Sequence, residues 1–126
     1  MYIAFSLQAA IAALHCQAAK AEETDWAQIL QLYTLLEQLQ PSPIVSLNRA
    51  VAIAMVEGHE AALVLMDAIA TNLDGYHLFH AARADLLRRA GATEKAEKSY
   101  QRALTLVTND SERRFLERRL REVQSK

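Results

Sequence analysis

Along the chain, apolar residues recur at spacings of three and four, the period of a helix with one buried stripe, until a helix breaker intervenes. The breakers divide the sequence into seven predicted helical segments. The first covers about residues 2–21, with Ile3, Leu7, Ile11, Leu14 and Ala18 on one stripe and no polar cap before it. The second starts at Thr24-Asp25, where either side-chain oxygen offers an N-cap and Gln28 stands three residues after Asp25. It runs to residue 40 and stops at Pro41-Ser42-Pro43. Ser42 is the expected cap of the third segment, with Pro43 in the first turn, where its missing amide hydrogen costs little. Gly58 is its expected left-handed exit. A fourth segment covers about residues 60–72, and a fifth runs from 76 to 90 between Asp74-Gly75 and Gly91. A sixth runs from a Thr93 cap to about 107, and a seventh follows Asn109-Asp110-Ser111 to near the end. Loops of a few residues make sequential neighbours antiparallel.

The pattern also repeats. Ile29, Tyr33, Leu36 and Pro41 are spaced by four, three and five; Ala62, Met66, Ile69, Asp74 and then Ala96, Tyr100, Ala103, Thr108 restate that spacing at offsets of 33 and 34. Gly58 and Gly91, 33 apart, stand between the two helices of the second and third copies. A helical pair recurring at this period resembles the tetratricopeptide repeat, most clearly over residues 91–108. The physical logic is small Ala residues where helices approach closely and Tyr or large aliphatics between successive pairs. The expected fold is all-α: antiparallel helix pairs stacked as a superhelix in a single domain over residues 1–126. The pairs fall at about 2–40, 43–73 and 76–107, with a capping helix at 110–124.

Composition agrees with this pattern and removes alternatives. In 126 residues Ala and Leu supply 41 positions against 18 for Val, Ile and Thr, and there are 3 Gly and 2 Pro, so sheet-based enzymes of the Rossmann or barrel type are excluded. The single Cys16 forms no internal disulfide and no secretory leader is evident, which points to a reducing, cytoplasmic setting; no apolar run approaches membrane-spanning length. The net charge of −1 conceals an asymmetry: residues 1–82 carry 2 basic and 8 acidic side chains, residues 83–126 carry 12 basic and 7 acidic.

Candidate chemistry is sparse. Phosphate loops, dinucleotide fingerprints and nucleophile elbows are missing, and no catalytic residue, cofactor or metal is expected. His77 and His80 stand three apart on one helical face but lack further ligands, and packing accounts for them better. His15 and Cys16 are adjacent on a helix and face apart. Glu22, Glu23 and Asp25 sit at a helix start, where negative charge suits the macrodipole. The Arg-rich end has interleaved Glu and no aromatic platform, so it reads as a solvated or protein-binding face, without direct DNA contact. In the last segment Phe115, Leu116, Leu120 and Val123 form the apolar side, and Glu117 with Arg121 has the favourable spacing of four.

More informative are polar residues inside apolar helices: Asn48 and Arg49, then Arg83 and Asp85. Unpartnered burial would cost a few kcal/mol each, so they are either bonded to one another or exposed. By resemblance to the repeat family, positions spaced like Asn48, Ala52 and Met55, or Ala81, Asp85 and Arg88, face an inner groove able to hold a protein segment.

A narrower resemblance rests on Thr24-Asp25-Trp26, Gln28-Ile29, Leu32-Tyr33, Pro41 to Val45, Leu47 to Ala52, His80 to Arg89 and Glu112 to Leu116. Together these resemble the C-terminal tetratricopeptide-like extension of one group of bacterial extracytoplasmic-function RNA polymerase sigma factors. No polymerase-binding or promoter-binding region accompanies them, so the chain would be the extension alone, with Met1 an added start. The resemblance implies a regulatory module in transcription initiation whose partners are the sigma regions or RNA polymerase. Its expected contact surface is Asn48, Arg49, Asp85, Arg88 and Arg89. Apolar surface that the missing regions would cover offers a route to a homodimer. Two other readings stand beside it: a ligand-sensing domain with a pocket near Tyr33, His80 and Arg83, and a free-standing repeat adaptor.

Overall fold

The computed structural model describes Ile11 and residues 25–125. These residues form six α-helices and no strand: α1 (Trp26–Leu39), α2 (Pro43–Glu57), α3 (His59–Leu73), α4 (His77–Arg89), α5 (Thr93–Leu106) and α6 (Asp110–Gln124). They correspond to the second through seventh predicted segments. The first predicted segment lies outside the described residues except for Ile11, which is helical and buried. The chain divides into two compact units, Met1–Leu65 and Met66–Lys126.

In the first unit, α1 opens where Asp25 Oδ1 accepts the Gln28 N–H at 3.1 Å, and α2 opens where Ser42 Oγ accepts the Val45 N–H at 3.1 Å, with Pro43 as its first residue. The two helices are antiparallel, as their cross-links show: Ser46 donates to Glu37 near the turn, and further along Arg49 Nε donates to Thr34 Oγ1 at 3.3 Å. Ile29 and Ala52 pack together with Ile11, Leu36 packs on Val45, and Tyr33 leans on both clusters. Ala52 is fully buried, which corrects its expected place in an exposed groove. A small side chain facing Ile29 lets the two backbones approach. Gly58 exits α2 at φ 105° and ψ 171°, a positive-φ conformation outside the left-handed helical basin.

The second unit holds the end of α3 and α4 to α6. Arg83 on α4 reaches back to Asp67 on α3 at 2.8 Å. The α5–α6 hairpin is pinned near its turn by Arg113 Nη2 donating to the Val107 carbonyl at 3.0 Å, and at its open end by Gln124 donating to Glu97 at 3.2 Å. Phe79, Ala84, Leu86 and Leu87 of α4, Ala96, Tyr100 and Ala103 of α5, and Leu116 and Val123 of α6 are buried. The three sequence copies therefore mark one structural role: Ile29, Ala62 and Ala96 are each 0% exposed, and the residue seven further on, Leu36 in α1 and Ala103 in α5, is buried as well.

The end of α4 shows why Gly91 is needed. The Ala92 N–H bonds the Leu87 carbonyl at 2.9 Å and the Gly91 N–H bonds the Arg88 carbonyl at 3.1 Å, a Schellman closure that sets Gly91 at φ 83°. A Cβ there would meet no atom within 4 Å, so only the backbone resists substitution. Gly91→Ala is expected to lower stability by about 1–2 kcal/mol, the cost of a left-handed alanine, measured by urea denaturation. Because this closure takes up Ala92, α5 starts with Ala92 as N-cap and Thr93 as its first helical residue, without a side-chain cap; the expected Thr93 cap is corrected. Asn109, at the polar break before the seventh predicted segment, caps α6, its Oδ1 accepting the Glu112 N–H at 3.1 Å.

Two expectations for α6 are also corrected. Phe115 is exposed, not part of the apolar side, and carries Arg118 and Arg119 over its ring at 5.9 and 5.2 Å. Glu117 and Arg121 form no ion pair; the carboxylate of Glu122, three residues past Arg119, pairs with Arg119 at 3.1 Å instead.

Candidate functional site

The polar residues embedded in apolar helices resolve into local networks within each unit. In the first unit Asn48 is exposed on α2, whereas its neighbour Arg49 is held by Glu37 at 3.2 Å and by Thr34. Arg49 is thus bonded across the helix pair, and Asn48 is the one of the two that faces solvent. Tyr33 is half-buried between the two apolar clusters, and that burial pushes its phenol pKa up.

In the second unit Asp85, Arg88 and Arg89 converge on one turn of α4. The Asp85 carboxylate accepts from Arg88 Nη2 at 2.6 Å through one oxygen and lies 3.1 Å from Arg89 Nε through the other. The hydrogen bond to Asp85 holds the Arg88 guanidinium above its ordinary pKa, against the opposing effect of burial. Tyr100, almost wholly buried on α5, brings its hydroxyl beside Arg88; burial raises its phenol pKa, and the guanidinium pulls in the opposite direction with less effect. In this cluster two arginines share one carboxylate.

His80 and Arg83, paired in the sequence reading with Tyr33, lie in the second unit, while Tyr33 lies in the first. His80 is buried, and its Nε2–H donates to the Asp74 carbonyl at 2.7 Å, tying α4 to the turn before it. His77 Nε2 approaches a Glu112 carboxylate oxygen at 2.7 Å. Each histidine thus has its own carboxylate neighbour, Asp74 lying 3.6 Å from His80. No group of three or more His, Cys, Asp or Glu among the described residues could hold a metal ion.

Two concave features accompany these networks. One is a cleft of about 270 Å³ in the second unit, lined by Asp74, Phe79, Arg83, Lys98, Ser99 and Arg102 among others. The other is a shallow basic surface on α6 between Arg114, Glu117, Arg118 and Arg121. Phe115, expected on the apolar side of this helix, lies outside it with Arg118 and Arg119 over its ring. Lys98, Ser99 and Arg102 went unnoticed because their common placement depends on how α5 packs against α4. Their spacing of one and four on a helix was the available signal.

No family model matches the chain. An uncharacterized protein of Rhizobium meliloti (strain 1021) is 46% identical over 116 residues, which are 92% of this chain and 27% of that protein. The chain therefore spans about a quarter of the length of this relative. Among solved structures, the first tetratricopeptide domain of Spaghetti (RPAP3), bound to the HSP90 peptide SRMEEVD, superposes with a TM-score of 0.75 at 20% identity, over 97% of this chain and 90% of that one. The fold is thus all-α and tetratricopeptide-like. None of the helices among the described residues is long and apolar enough to cross a membrane.

Proposed function

We propose that this chain is a protein-interaction module that holds a segment of another macromolecule and, as part of a longer bacterial polypeptide, does so in transcription initiation. The observation that carries the first part is the likeness, over nearly the whole chain, to a tetratricopeptide domain captured with a peptide. Stacked helical repeats offer an extended binding surface, and the proposed effect on a partner is to place it. The narrower part rests on the sigma-factor resemblance of Thr24-Asp25-Trp26, Pro41 to Val45 and His80 to Arg89. It is supported by the Rhizobium relative, most of which lies outside the matched region and leaves room for other functional domains. Sigma regions or RNA polymerase are then the partners, with Asn48 and Arg49 of the first unit and, separately, Asp85, Arg88 and Arg89 of the second as the proposed contact residues and charge complementarity steering the encounter. A free-standing adaptor fits the fold equally well.

The test uses the full-length Rhizobium relative with and without its matched region, assayed for binding to core RNA polymerase and for reporter transcription. Core binding by the intact protein, with transcription changed at least tenfold by the deletion, is the expected result. An intact protein that does not bind the core overturns the sigma reading and leaves the adaptor reading in place.

A further inference from the structure

The cleft in the second unit is lined by three cationic side chains, two of them paired with aspartates of the same unit. Arg83 is anchored through Nη1 by Asp67 at 2.8 Å, and Arg102 through Nη2 by the Asp74 carboxylate and carbonyl at 3.2 and 3.3 Å. A guanidinium has five N–H donors in a rigid fork, so each anchored arginine is fixed in place with donors to spare. The side chains of Lys98 and Ser99, one turn before Arg102 on α5, make no hydrogen bond or ion pair among the described residues. Lys98 and Arg102 are four apart, on one helical face. His80, committed to the Asp74 carbonyl, is a wall of this cleft and supplies no free donor to it through Nε2. Phe79 and Ala70 add apolar lining to the cleft.

We infer that this cleft is an oxyanion site, taking the phosphate or carboxylate group of a small ligand between Arg83, Lys98, Ser99 and Arg102. The two aspartates offset two of the three cations, so the charge left for the ligand is chiefly that of Lys98, with the anchored guanidiniums and the Ser99 hydroxyl giving direction. The volume of about 270 Å³ exceeds what one such group fills, leaving space for a further portion of the ligand. This site is independent of the partner-capture reading, and its test requires no partner.

The experiment is an NMR titration of the isotopically labelled 126-residue chain with sodium phosphate and, separately, sodium acetate, with sodium chloride holding ionic strength constant. Saturable shifts of the Lys98, Ser99 and Arg102 amides are expected. Saturation by phosphate assigns the site to phosphate groups, and saturation by acetate to carboxylates. Lys98→Ala, an exposed substitution, is expected to weaken the apparent affinity by about fivefold or more, as for loss of one partly exposed charge contact, while Arg114→Ala on α6 leaves it unchanged. Shifts that fail to saturate with both anions, or an affinity unaltered by Lys98→Ala, overturn the assignment.

Discussion

Ala103→Arg is expected to abolish cooperative folding of the helices around α5. Ala103 is 0% exposed and shares its stripe with Ala96 and Tyr100, the small residues allowing α5 to sit close to its neighbours on both sides. An arginine there meets two separate penalties. Overfilling a packed interface costs about 1–3 kcal/mol, and a buried cation without a counter-ion costs roughly 3–5 kcal/mol. Their sum rivals the whole stability of a small domain, about 5–15 kcal/mol. Thermal denaturation followed by circular dichroism should show no sigmoidal transition for this variant. Thr105→Arg, two residues on and exposed, should melt within about 0.5 kcal/mol of the parent. A sharp, near-parental transition for Ala103→Arg would show that the repeat positions are not the close-packed seam.

The seam was legible in the sequence because it obeys a period that local chemistry cannot produce by itself. Ile29, Ala62 and Ala96 recur at 33 and 34 residues and all three are fully buried, so spacing alone located the packed face of α1, α3 and α5. Caps were equally readable where a side chain does the capping, as at Asp25 and Ser42. Thr93 failed as a cap for a reason no residue type signals. The Schellman closure at Gly91 sets the frame of the next helix one residue earlier, so the backbone decided what the hydroxyl could not. Phe115 misled in a similar way. It is adjacent to the buried Leu116 and apolar, but one residue is a 100° rotation on a helix, enough to carry the ring onto the outer face, where two arginines cover it.

The candidate sites were legible only as residue types out of place. Arg49, Arg83 and Asp85 stood out because a charge in an apolar run needs a partner, and each has one: Glu37, Asp67, and the Arg88–Arg89 pair. Which partner, and on which helix, depends on tertiary register and was not readable. The oxyanion cleft was less visible still. Lys98, Ser99 and Arg102 look like an ordinary polar helix face, and what distinguishes them is that Arg83 from another helix, held by Asp67, shares their cleft.

Asp85 separates a contact surface from an internal clamp, and Asp85→Ala is expected to destabilise the chain by about 2–3 kcal/mol, since buried charged groups that lose their counter-ion keep their desolvation cost. The Arg88 side chain is only 20% exposed, its Nε is already buried without a hydrogen-bond partner among the described residues, and Asp85 accepts from its Nη2 at 2.6 Å. Removing that carboxylate leaves the guanidinium facing the buried Tyr100 hydroxyl, which cannot neutralise it. The double substitution Asp85→Ala with Arg88→Met should recover most of the loss, because a flexible apolar chain can fill the site without a charge to solvate. Urea denaturation of the two variants beside the parent measures both values. If Asp85 served only a partner, the single variant would unfold at the parental urea midpoint while binding failed; a lowered midpoint restored by the second substitution instead places the carboxylate in the fold. Asp85 then shapes any partner surface through the position it imposes on Arg88 and Arg89.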